Sequence, residues 1–84
     1  MYSEQALETM CAALGLQLTM KGELKSQKNN THWHYKNGKE KGVLEVTLLH
    51  HDGTIILSVH DNRVGNWTEE AMSSLKNRLE DDNL

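Results

Sequence analysis

Eighty-four residues, 37% of them hydrophobic, supply one core and exclude both a second domain and a disordered chain. Nine basic residues against twelve acidic ones give a net charge of −3, and the single cysteine, Cys11, excludes an internal disulfide and a multi-cysteine zinc site. Apolar runs are too short for a membrane-spanning helix, and no basic-then-apolar start marks a secretory signal, so a cytoplasmic protein is expected.

Residues 3–15 carry a helix signal. Ser3 is placed to cap the first amides. Leu7, Met10, Cys11 and Leu14 then fall on one helical face, and Gly15 can stop the helix. The period changes to two at once. Leu16, Leu18, Met20 and Leu24 alternate with Gln17, Thr19, Lys21 and Glu23, which predicts a half-buried strand over residues 16–25 with a bulge at Gly22. A polar turn follows at residues 26–30. Residues 31–36 alternate again, with Trp33 and Tyr35 inward and His32, His34 and Lys36 outward. Asn37-Gly38 and Gly42 mark the next turn.

The clearest local signal is a hairpin over residues 43–61. Asp52-Gly53 predicts a two-residue turn with His51 opposite Thr54. Leu44, Val46 and Leu48 then share the inner face with Ile55, Leu57 and Val59. On the outer face this register pairs Thr47 with Ser58, Glu45 with His60, and Leu49 with Ile56. After a loop, Asn66 is placed to cap a second helix, with Glu69 closing a capping box. Trp67, Ala71, Met72, Leu75 and Leu79 form its apolar stripe, and Lys76 and Arg78 fall near its end.

Short connections make the four strands a meander. Both apolar helical stripes must bury against the apolar side of the sheet. The fold expected is α+β, a two-layer sandwich of helix, four-stranded antiparallel meander and helix, with both helices on one face. The domain spans residues 1–80, and residues 81–84 read as an acidic tail.

Nothing in the chain suggests an enzyme. There is no glycine-rich phosphate loop and no Gly-x-Ser-x-Gly elbow, Cys11 lies on a buried stripe, and no cofactor is implied. Arg63, before the second helix, is a weak candidate anion clamp, opposed by Glu69 and Glu70.

Three surface features carry candidate sites. Val43, Leu49 and Ile56 lie among His51, Thr47 and Ser58 on the helix-free sheet face, an apolar patch suited to a protein partner or a homodimer. Residues 21–41 carry a charge of +4 while the remainder carries −7. Lys21, Lys25, Lys28, Lys36, Lys39 and Lys41 therefore form a basic stretch suited to nucleic acid. Finally, His32 and His34 project from the outer face about 7 Å apart. With Glu45 and His60 they make a His–Glu–His row able to hold zinc or nickel. The second hairpin loop decides the row: four residues put His32 opposite Glu45, six put His34 there. The expectation is a small non-enzymatic binding module that works through its open sheet face, with nucleic-acid binding as the alternative.

Overall fold

The computed structural model describes residues 2–26, 29–60 and 67–82. Helix α1 (Glu4–Ala13) leads into strands β1 (Gln17–Gly22), β2 (Asn30–Lys36), β3 (Val43–Leu49) and β4 (Thr54–His60), and helix α2 (Trp67–Asp82) follows. The strands pair antiparallel in the order β1-β2-β3-β4. The expected α+β meander is therefore present. Among the described residues, no helix is long and apolar enough to cross a membrane.

Helix α1 starts where its cap dictates. The Ser3 Oγ accepts the Ala6 N–H at 3.0 Å, and Gly15, at φ 78°, turns the chain out just past the C-cap Leu14. Leu7 and Cys11 are buried, Met10 is half-buried, and Leu14 is exposed. An apolar stripe this short needs help to hold the helix on the sheet, and polar contacts supply it. The Trp33 indole N–H donates to Glu8 Oε2 at 3.0 Å. Lys21 Nζ lies 2.7 Å from Glu8 Oε2 and 3.1 Å from Glu4 Oε1. Thr31 Oγ1 donates to Glu4 Oε2 at 2.7 Å, and His50 Nε2 stands 2.9 Å from that hydroxyl. The hydrogen bond from Thr31 and then Lys21 hold the Glu4 carboxyl below its ordinary pKa; Lys21 and then Trp33 do so for Glu8.

Helix α2 packs on β3 and β4. Trp67, Ala71 and Leu75 are buried and join Leu7, Cys11, Leu16, Trp33, Tyr35, Leu44, Val46 and Leu48 in one core. Both helices thus share one side of the sheet. The Trp67 indole N–H donates to the Lys41 carbonyl at 2.8 Å, and the Tyr2 hydroxyl donates to the Leu79 carbonyl at 3.1 Å. The helix continues through Asp82, so Asp81 and Asp82 are helical and not tail. Glu80 and Asp81 consequently occupy a last turn expected to hold Lys76 and Arg78. The Asn66 cap and Arg63 lie outside the described residues.

Three local expectations are corrected. First, the β3–β4 register is shifted by two residues. Leu49 pairs with Thr54, Thr47 with Ile56, Glu45 with Ser58, and Leu48 with Ile55. The turn holds four residues, 50–53. The Gly53 N–H donates to the Leu49 carbonyl at 2.8 Å, and the Asp52 side chain accepts the Thr54 N–H at 2.9 Å. An even shift leaves every residue on its expected face and changes only its partner. Leu49 and Ile56 are therefore diagonal neighbours, not a pair.

Second, the bulge in β1 is at Thr19, between the pairs Leu18–Tyr35 and Met20–His34, and not at Gly22. The extra residue inverts the strand's remaining side chains. Met20 turns to the helix-free face, and Lys21 turns under α1 beside Trp33. Third, β1 is an edge strand with no buried residue, and Leu18 and Met20 are 45% and 39% exposed. Of the apolar residues expected to be buried there, Leu16 is buried and Leu24 half-buried, and neither lies within β1.

Two outcomes follow from this architecture. Gly53 sits at φ 75°, where a β-branched residue is strained by at least about 1–2 kcal/mol. Gly53→Val should lower the urea unfolding midpoint accordingly, and an unchanged midpoint would show that the turn does not need this conformation. Acid should loosen α1. Glu4 and Glu8 have folded pKa values below their unfolded ones. Their contribution is thus complete above the unfolded carboxyl pKa of about 4.3 and is lost as the pH falls through the folded values. Urea midpoints measured from pH 6 to pH 3 should fall below about pH 4.3. They should fall less in Lys21→Met, which starts without the contact that both carboxylates share.

Candidate functional site

With both helices on one side, the opposite face presents side chains from all four strands. Gln17 and Met20 come from β1, and Asn30, His32, His34 and Lys36 from β2. Val43, Glu45, Thr47 and Leu49 come from β3, and Thr54, Ile56, Ser58 and His60 from β4. Among the described residues no helix or strand covers this face, yet its centre is buried. His32 and Thr47 are 4% and 5% exposed, and Asn30 is buried as well. Neighbouring side chains must do the covering.

The second hairpin loop holds the six residues 37–42, so His34 stands directly opposite Glu45. His32 lies diagonal to Glu45 on one side, and His60 diagonal on the other. His60 pairs with Val43 instead of Glu45, as the register shift requires. The Glu45 carboxylate nevertheless reaches all three rings. Oε1 lies 2.9 Å from His32 Nε2 and 3.4 Å from His34 Nε2. Oε2 contacts His60 Nε2. The two Nε2 atoms of His32 and His34 are 3.0 Å apart. His32 Nδ1 is 2.7 Å from Thr47 Oγ1, which fixes the ring about its own axis. All four residues proposed for the His–Glu–His row thus come together.

The apolar patch is altered by the same register. Ile56 is 42% exposed, but Leu49 and Val43 are only half-exposed. Ser58 is exposed beside Glu45. Thr47 is buried against His32 and offers no surface of its own. His51 lies at the β3–β4 turn, 3.4 Å from Asp52 and away from the patch centre. Met20, which the alternation assigned to the core, joins the exposed apolar residues on this face. Only the bulge places it there, and a threonine in a regular alternation gives no sign of one.

The lysines do not form one surface. Lys21 is on the helix side, paired with Glu4 and Glu8. Lys36 is on the open side. Lys25 lies beyond one end of β2 and Lys39 and Lys41 beyond the other, about 20 Å apart for seven strand residues. Lys28 lies outside the described residues.

Two further polar residues matter, and composition gave no hint of either. Asn30 clamps Leu24 at two points: its Oδ1 accepts the Leu24 N–H and its amide donates to the Leu24 carbonyl, both at 2.9 Å. Thr47 is the buried partner of His32. Thr47→Val should leave that ring nitrogen buried without a partner and cost about 1–3 kcal/mol, measured by urea denaturation. Thr47→Ser should cost clearly less.

No protein-family model matches this chain, and neither a curated protein nor a solved structure matches it.

Proposed function

We propose that the chain is a small non-enzymatic binding module whose working surface is the helix-free face at its β4 side, and that its occupant is a second copy of the chain. The observation that carries this reading is the character of β4. It is the last strand of the sheet, and among the described residues no strand pairs with its outer side. Its seven residues, Thr54–His60, contain no lysine, carboxylate or proline. Edge strands normally carry such residues or a bulge to prevent pairing with another chain. The opposite edge, β1, has the Thr19 bulge. Beside the unprotected edge, Ile56 is 42% exposed, with Leu49 and Val43 half-exposed nearby.

A second copy suits this edge because the edge is uncharged and self-complementary. Two β4 strands related by a two-fold axis can pair antiparallel and bring the two Ile56 side chains together. A nucleic-acid partner is less well supported, because the lysines are divided between two faces and two ends of the sheet.

The test is sedimentation across a concentration series. Parent protein should form dimers, and Leu49→Lys combined with Ile56→Lys should remain monomeric. The double variant should keep its circular-dichroism spectrum. The Ile56 change is expected to cost no more than about 0.5 kcal/mol, as is usual for an exposed site, with Leu49 costing somewhat more. A parent monomeric at all concentrations, or a double variant that still dimerises, would overturn the reading.

A further inference from the structure

We propose that His32, His34 and Glu45 bind one divalent transition-metal ion of the zinc class at the centre of the helix-free face. The proposal goes beyond docking, and each side chain needed comes from one chain.

The donor set has the right chemistry. Two imidazoles and one carboxylate are ligands for zinc, cobalt and nickel, and three protein ligands leave one position open. The spacing also fits. Metal–ligand bonds of about 2.0–2.1 Å in tetrahedral geometry put ligand atoms about 3.3 Å apart. His32 Nε2, His34 Nε2 and Glu45 Oε1 form a triangle with edges of 3.0, 3.4 and 2.9 Å. An ion on the axis of that triangle reaches all three atoms after shifts of a few tenths of an ångström.

The surrounding residues favour the form that binds. A ligating histidine usually donates its other ring N–H to a fixed acceptor. Thr47 Oγ1, 2.7 Å from His32 Nδ1, is placed to accept that proton. The lone pair of His32 is then on Nε2, toward the triangle. His60 contacts Oε2 and so helps to hold Oε1 toward the other two rings. His60 is a positioning residue here. The site is anchored as well: the side chains of His32 and Glu45 are 5% and 14% exposed on the two central strands, while His34, at 33%, leaves a path in from solvent.

Two Nε2 atoms 3.0 Å apart admit one proton between them, and His32 Nε2–H donating to Glu45 would need the opposite arrangement at Thr47. A cation satisfies all three lone pairs at once. Binding therefore displaces whatever protons the ligand atoms carry.

Zinc added to the purified chain should bind at one ion per chain by calorimetry. It should shift the His32 and His34 side-chain resonances and raise the melting temperature. Cobalt should give the intense visible absorption of a four-coordinate ion. His34→Ala removes a partly exposed ligand and should fold. It should weaken zinc binding by more than the roughly 10–100-fold that loss of an outer partner costs, and Thr47→Val should fall within that range. His51→Ala should bind like the parent. The site is overturned by unchanged resonances at millimolar zinc. Parent-like binding in a folded His34→Ala would overturn it too, as would a stoichiometry of one ion per two chains.

Discussion

With both helices on one side of the four-stranded sheet, a polar group buried on the other side must find its partners among its own neighbours. That constraint explains the uncovered face. Its central residues, His32 and Thr47, are as buried as parts of the core, so they cannot rely on water. They rely on each other and on Glu45, whose two oxygens serve three rings from two strands. Removing the carboxylate would take one shared partner from all three rings at the same time. Such a network is costly when incomplete and rigid when complete. The cluster, and not the apolar patch, is accordingly the most buried part of the open face.

The helix side solves the reverse problem. Helix α1 is ten residues long and buries only Leu7 and Cys11 fully. Its attachment depends on Glu4 and Glu8 reaching down to Lys21, Thr31 and Trp33. Lys21 can do this because the Thr19 bulge turns it inward. A lysine that reads as solvent-exposed in the sequence is thus the cation that ties the first helix to the edge strand. The apolar part of this contact keeps Cys11 inert. Burial pushes its thiol up to about 11 and raises the Tyr35 phenol beside it, so neither ionises at ordinary pH.

The fold was legible because its signals are periodic. A period of 3.6 at Leu7, Met10 and Cys11 and a period of two from Leu44 to Val59 each fix which side is apolar, and the layers follow. Faces survive an error of two residues in register, which is why Leu44, Val46 and Leu48 are inward as expected although their partners differ. Partners were not legible. Asp52-Gly53 is equally compatible with a two-residue turn and with the four-residue turn that forms, and only packing across the sheet chooses between them. The same holds for the second loop, where either His32 or His34 could have faced Glu45. The bulge at Thr19 was illegible for another reason: nothing in Leu18-Thr19-Met20 departs from strict alternation. The histidine–glutamate cluster was nonetheless readable as a group. His32, His34, Glu45 and His60 all fall on one face by the alternation of their strands, and a long carboxylate side chain reaches diagonal as well as direct neighbours.

The open face joins its two candidate activities through one cross-strand pair. Ile56 stands opposite Thr47, and Thr47 orients His32. A body seated on Ile56 would therefore lie one residue from the group that sets the histidine tautomer, and would exclude water from that side of the cluster. Electrostatic contacts strengthen when water is excluded, so a covered Ile56 would tighten the hold of Glu45 on its three rings or on a bound ion. The influence is reciprocal by linkage. Docking and ion binding would be separate events on this surface, but the geometry would not make them independent.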